Sequence, residues 1–216
     1  IFNFNLQGTE DMKKEHQRLI DTLSKELAEG NLAVFAGAGL SRSAGFVDWK
    51  SLLKPIADDL DLDVEREWDL VTLAQYHANA NATNRSKLNQ ILVTEFSLSV
   101  APTENHEILT RLPIQTYWTT NYDKLIENAL ERNGKVPDVK YTNKQLATTR
   151  PKRDAVVYKM HGDVDHSSEA VLIRDDYERY HVKMQPFITA LSGDLIAKTF
   201  LFLGFSFTDP NLEYIL

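Results

Sequence analysis

Asn121 and His161 are the residues of this 216-residue chain best suited to handle a water molecule or a sugar hydroxyl. Asn121 lies in Thr120-Asn121-Tyr122-Asp123, and its amide combines donors with an acceptor, the set needed to orient a hydroxyl. His161 lies in Met160-His161-Gly162-Asp163, and an imidazole titrating near neutrality accepts a proton from such a hydroxyl. Each also has an ordinary structural explanation: an Asx cap on a following helix for Asn121, core hydrogen bonding for His161. A third segment, Phe35-Ala36-Gly37-Ala38-Gly39-Leu40-Ser41-Arg42-Ser43-Ala44-Gly45-Phe46-Val47-Asp48, is rich in glycine. Glycines let a backbone approach a diphosphate closely and offer N–H donors to its oxygens. Gly37 and Gly39 fit the first two places of G-x-G-x-x-G, but Arg42 holds the third. No glycine of the segment is followed directly by Lys-Ser or Lys-Thr, so this is not the phosphate loop of the nucleoside triphosphatases.

The elements that must position these residues alternate. An amphipathic helix is expected from about Glu10 to Glu29, stopped by Gly30. Apolar runs at Leu32–Phe35, Gln115–Thr119, Ala155–Met160 and Thr199–Leu203 read as strands, with Val171–Ile173 as a short strand or edge. Helices fill the intervals, including a block from Trp49 to Leu112, a helix ending at Arg132 before Gly134, and most of Tyr177–Lys198. The expected fold is therefore α/β, a Rossmann-like parallel sheet with helices on both faces and a helical insert. Gly37, Asn121, His161 and Gly204 then each fall just past a strand. Strand carboxyl ends share one edge of such a sheet, so the four neighbourhoods are expected to meet in one cleft, with residues 49–112 as an insert or lid over it.

Composition narrows the chemistry. The chain has no cysteine, which removes disulfides, cysteine nucleophiles and cysteine-ligated zinc, and suits a cytoplasmic setting. No histidine pair has zinc spacing with supporting carboxylates, so no metal is expected. No apolar stretch approaches the ~20 residues of a membrane span. A net charge of −7 argues against broad nucleic-acid binding, and the Lys144–Arg153 basic cluster reads as a solvated loop. There is no Gly-x-Ser-x-Gly elbow for a serine hydrolase. Asp48 and Asp123 stand at helix starts, where capping accounts for them, and Ser206 follows Gly204 at a strand end. The absence of an initial Met and the helical stripe beginning at Pro210 lead to the expectation that residues 1–216 form one domain of a chain that continues past 216.

The glycine segment resembles the sirtuin nucleotide loop G-A-G-x-S-x-x-x-G-[IF]-x-D-[FW]-[RK], matched by Gly37, Ala38, Gly39, Ser41, Gly45, Phe46, Asp48, Trp49 and Lys50. Thr120-Asn121-Tyr122-Asp123 resembles the sirtuin T-x-N-x-D motif, Met160-His161-Gly162-Asp163 its histidine-glycine motif, and Gly204-Phe205-Ser206 its ribose-contacting turn. The four motifs occur in family order between Leu32 and Asp209. The four-cysteine zinc ribbon of sirtuin deacylases is missing, as is their peptide-pairing segment. The stretches Val171–Tyr177 and Leu203–Leu212 are instead similar to bacterial sirtuin-like domains of antiphage defence, the branch of the Thoeris effector and of effectors paired with HerA-type ATPases.

This resemblance implies hydrolysis of NAD⁺ to nicotinamide and ADP-ribose. It implies that Asn121 and His161 are catalytic: Asn121 places the water, and His161 acts as base. It implies that Gly37, Ala38, Gly39, Ser41, Asp48, Trp49, Asp123, Gly204 and Ser206 bind the dinucleotide, Ser41 at the diphosphate and Asp123 at the nicotinamide carboxamide. It further implies a homo-oligomer, with a HerA-type ATPase or another defence-system protein as partner. The competing expectations are a zinc-free deacylase or ADP-ribosyltransferase, and a non-catalytic module sensing NAD⁺ or ADP-ribose.

Overall fold

A computed structural model describes residues 6–205, with side chains from residue 13 onward. Five strands form one sheet: β1 (Leu32–Ala36), β2 (Thr116–Thr119), β3 (Pro137–Lys140), β4 (Ala155–Lys159) and β5 (Thr199–Leu203). Their order is β3-β4-β2-β1-β5, and every pairing is parallel. The register aligns Ala36 with Thr119 and Leu203, and Thr119 with Lys159. Four strands therefore finish at nearly the same level of one edge.

Alternation within the strands sorts the core onto two faces. Val34, Ala36, Tyr117 and Val157 join Ile126 and Leu130 of the helix Leu125–Arg132 on one face. Phe35 and Trp118 join Phe187 and Leu191 of the helix Gln185–Ala197 on the other. Burial on both faces is what a parallel sheet needs, and each fully buried large side chain contributes about 1.5–3 kcal/mol.

Between β1 and β2 lie the helices Trp49–Asp59, Leu70–Ala80, Ser86–Phe96 and Glu104–Arg111, as the helical block predicts. Asp48 starts the first by accepting from Ser51 N–H at 2.8 Å, and Asp69 starts the second by accepting from Thr72 N–H at 2.9 Å. Thr103 caps the fourth in a capping box with His106. The first three share a core with Tyr122, Val164 and Leu172, so the insert packs directly onto the turns beyond β2 and β4.

Two segments differ from expectation. β3 has no apolar run to announce it; Asp138 and Lys140, two residues apart on one strand face, are both buried and paired at 2.7 Å. Arg153 adds a second bond to Asp138 at 2.9 Å, and Arg150 N–H a third at 3.0 Å, so part of the basic cluster is tied into the sheet edge. Val171–Ile173 forms no strand. It is a buried loop whose apolar side chains fill the space around the β4 turn and the insert.

Candidate active site

The turns after β1, β2, β4 and β5 open into one cavity of about 1190 Å³. Ala38, Gly39 and Ser41 line it from the first turn, Asn121 and Asp123 from the second, His161 from the third and Gly204 from the fourth. Trp49 lines it from the insert, stacked on Tyr122 with ring centroids 6.4 Å apart. The convergence expected from strand ends is therefore present.

Asn121 is buried, and both hydrogens of its amide nitrogen are committed. Its Nδ2 donates to Gly37 O at 3.1 Å and to Ser41 Oγ at 2.9 Å. A carbonyl oxygen only accepts, so the amide is oriented and Oδ1 remains as the acceptor for a water or hydroxyl. Ser41 passes the chain on, donating to Asp123 Oδ2 at 2.7 Å, while Asp123 Oδ1 accepts from Leu125 N–H at 2.9 Å. Asp123, rather than Asn121, thus supports the start of the following helix.

His161 is 3% exposed, and its ring meets the edges of Tyr177 and Tyr180 at centroid distances of 5.5 and 6.1 Å. Its carbonyl accepts from Val171 N–H at 2.9 Å. Gly162 follows with φ +95°, the left-handed conformation that turns the chain away from the cavity directly after the imidazole.

The glycines at the first turn serve a different purpose from the one expected. Gly37 N–H donates to Leu203 O at 2.9 Å and Gly39 N–H to Gly204 O at 2.8 Å, so neither donor is left for a phosphate. A Cβ on Gly37 would stand 2.5 Å from Gly204 O, and one on Gly39 2.8 Å from Gly204 Cα. Glycine is required here because two backbones, the ends of β1 and β5, lie against each other. Asp48 is outside the cavity wall: it caps its helix, and hydrogen bonds from Ser51, with Arg42 nearby, hold its carboxyl below the usual range. Ser206 lies outside the described residues.

Sequence reasoning missed Lys159, the last residue of β4, which is fully buried. Its ammonium donates to Tyr122 O at 3.1 Å, Asp123 O at 2.6 Å and Asp163 Oδ2 at 2.5 Å, with Glu127 Oε1 at 3.0 Å. The available signal was a lysine closing an apolar strand with an aspartate four residues later. Among the described residues, no group of three or more His, Cys, Asp or Glu side chains is placed to hold a metal ion, and no helix is long and apolar enough to cross a membrane.

A parallel Rossmann-like sheet with a glycine turn, an asparagine and a histidine at adjacent strand ends defines a sirtuin-like α/β domain, and the SIR2-like domain model matches residues 115–216. The chain is 67% identical over 197 residues to NAD(+) hydrolase ThsA of Bacillus cereus (strain MSX-D12), covering 91% of this chain and 41% of that protein. It is 55% identical over 204 residues to NAD(+) hydrolase ThsA of Acinetobacter baumannii (strain 532279), covering 94% of this chain and 42% of that protein. Defense-associated sirtuin 2 of Bacillus subtilis is 25% identical over 205 residues, 91% of this chain and 20% of that protein. The chain thus spans about two-fifths of the length of the hydrolases it matches.

Proposed function

We propose that this chain is the catalytic domain of an NAD⁺ hydrolase that acts as a cofactor-depleting effector in antiphage defence. The observation that carries this reading is the placement of Asn121 and His161, from adjacent strands, in the same cavity wall as the β1 turn. A volume of about 1190 Å³ exceeds the ~300–1,000 Å³ typical of small-ligand pockets and suits a dinucleotide. The relatives named NAD(+) hydrolase support the same substrate.

In this reading the bond between nicotinamide and ribose C1′ breaks, and its electron pair leaves with the neutral nicotinamide. The ribose passes through an oxocarbenium-like state, so the enzyme's task is to stabilise that charge and deliver a nucleophile. Asn121 Oδ1 accepts a hydrogen from the incoming water and sets its position. The water oxygen bonds to C1′ and its proton goes to His161, giving ADP-ribose. Ser41 and Asp123 hold the Asn121 amide, and Asp123 faces the nicotinamide end of the cavity. Ala38, Gly39, Trp49, Gly204 and Ser206 contact the rest of the dinucleotide; Gly37 seats the first turn against Gly204, and Asp48 caps the helix that begins at Trp49. The helical insert covers the cavity, and residues 1–216 act as one domain. The setting is cytoplasmic, the protein works as a homo-oligomer, and its partner is a HerA-type ATPase or another defence-system protein.

The test is incubation of the full-length protein with NAD⁺ and chromatography of nicotinamide and ADP-ribose, beside Asn121→Ala and His161→Ala. Release by the parent and its loss in both variants is the expected result. Binding without release in the full-length assembly would replace the hydrolase by a sensor.

A further inference from the structure

We propose that Lys159 is a positioning residue for this reaction, fixing Asn121 relative to His161 from beneath the cavity floor. The proposal rests on the reading of the cavity as the hydrolytic site. Lys159 ends β4 two residues before His161 and does not line the cavity. An ammonium has three hydrogens in a tetrahedral array. Two go to the carbonyls of Tyr122 and Asp123, the residues directly after Asn121, and the third to Asp163, two residues after His161. One side chain therefore ties together the turns that carry the two candidate catalytic groups. Further bonds close the same junction: Val164 N–H donates to Tyr122 O at 3.1 Å, and Tyr122 Oη donates to Val171 O at 2.6 Å. Val171 N–H in turn holds His161 O.

Glu127 has a separate part. Its Oε1 lies 3.0 Å from the ammonium, but Glu127 stands on the helix Leu125–Arg132 and on neither of the two turns. It balances charge without setting geometry. Burial pushes its carboxyl above the ordinary range against the pull of Lys159. Burial also disfavours the Lys159 ammonium, but Glu127 and Asp163 outweigh this and hold its pKa above the ordinary value. A buried cation with this many partners is costly to assemble, and a plain apolar residue would fill the space at less expense. What an apolar residue cannot do is hold two carbonyls and a carboxylate at fixed positions.

The experiment compares full-length parent, Glu127→Gln, Lys159→Arg, and a triple variant combining Lys159→Met, Glu127→Gln and Asp163→Asn. The triple variant removes the cation together with the carboxylates that would otherwise be left bare. Glu127→Gln should keep kcat within about threefold, since it alters no bond to either turn. Lys159→Arg keeps the charge but replaces the tetrahedral donors with a planar fork. Both Lys159 variants should lose kcat by about 10²-fold, the scale of a displacement near 1 Å, with KM for NAD⁺ nearly unchanged. Amide hydrogen exchange is the second readout. In the parent, residues 121–125 and 161–165 should exchange together and slowly; in the Lys159 variants both segments should exchange faster while the β1 and β2 amides stay protected. A folded Lys159 variant with parental kcat, or independent fast exchange of the two segments in the parent, would overturn the proposal. A parent that releases no nicotinamide would remove the hydrolase reading, and the exchange comparison would still decide whether Lys159 joins the turns.

Discussion

Ser41 Oγ donates a 2.7 Å hydrogen bond to Asp123 Oδ2, linking the turn after β1 to the turn after β2 inside the protein. The same hydroxyl accepts from Asn121 Nδ2, so a single serine stands between the candidate water-binding amide and a buried carboxylate.

Ser41→Ala should therefore affect activity more than its small change in size suggests. It leaves Asp123 Oδ2 without this donor and Asn121 with one anchor, at a stability cost of about 1–3 kcal/mol. Because Asn121 Oδ1 loses its fixed direction, kcat should fall by about tenfold or more. Paired denaturation curves and NAD⁺ turnover would check both. Unchanged turnover would show that Asn121 needs no support from the first turn.

Gly204→Ala should be among the most destabilising single-methyl changes in the chain. Gly204 has φ +61°, and a Cβ there would collide with Leu40 N and stand 2.6 Å from Gly39 C. These are backbone atoms that no rotamer change can move aside, so a loss of about 2–4 kcal/mol is expected. Chemical denaturation would measure it; Gly193→Ala, where a Cβ meets nothing within 4 Å, is the control.

His106 should make stability fall in mild acid. Burial pushes its imidazole below the ordinary value, and Asp123 and Glu107 oppose that push without overcoming it. The unfolded chain then takes up a proton that the folded chain refuses. The His106 contribution is complete above the unfolded value and declines as pH drops below about 6.5. His106→Gln preserves the residue type of a capping box with Thr103 and should flatten the loss between pH 7.5 and 5.5. Equal pH slopes in denaturation of parent and variant would contradict this.

Trp68 should report on ligand. It is 98% exposed and lines the cavity, whereas Trp118 is fully buried. A dinucleotide entering the cavity brings aromatic rings to an indole otherwise facing solvent. ADP-ribose or NAD⁺ should quench the emission of the parent, and Trp68→Phe should lose a measurable part of that quench, the remainder coming from Trp49 in the same cavity. Identical titrations would place the ligand away from this wall.

Much of the site's framework could be read from residue order. β1, β2, β4 and β5 are apolar runs ending at polar or glycine-rich turns, and a parallel sheet gathers such ends, so the meeting of Asn121 and His161 is legible in the sequence. β3 escaped because Pro137-Asp138-Val139-Lys140 hides its burial behind charges that neutralise each other. Val171–Ile173 misled in the opposite direction: its apolar character comes from side-chain packing, with no strand partner. Lys159 was illegible because lysines at strand ends are ordinarily solvated, and two of its four partners are backbone carbonyls, which sequence does not mark. The glycines of the first turn were legible as a place of close approach, but composition could not say that the approaching chain is the protein's own.

That clasp of Gly37 and Gly39 against Gly204 has a consequence for synthesis. The first turn waits on a partner that is made only after β2, β3 and β4. A ribosome that has delivered β1, β2 and β4 has already made Asn121, His161 and Lys159, but one side of β1 still lacks its neighbour. Only when Thr199–Leu203 and Gly204 emerge does the cavity acquire its fourth wall. Nascent chains and truncated products that stop before β5 therefore carry the chemistry-bearing side chains without the finished chamber.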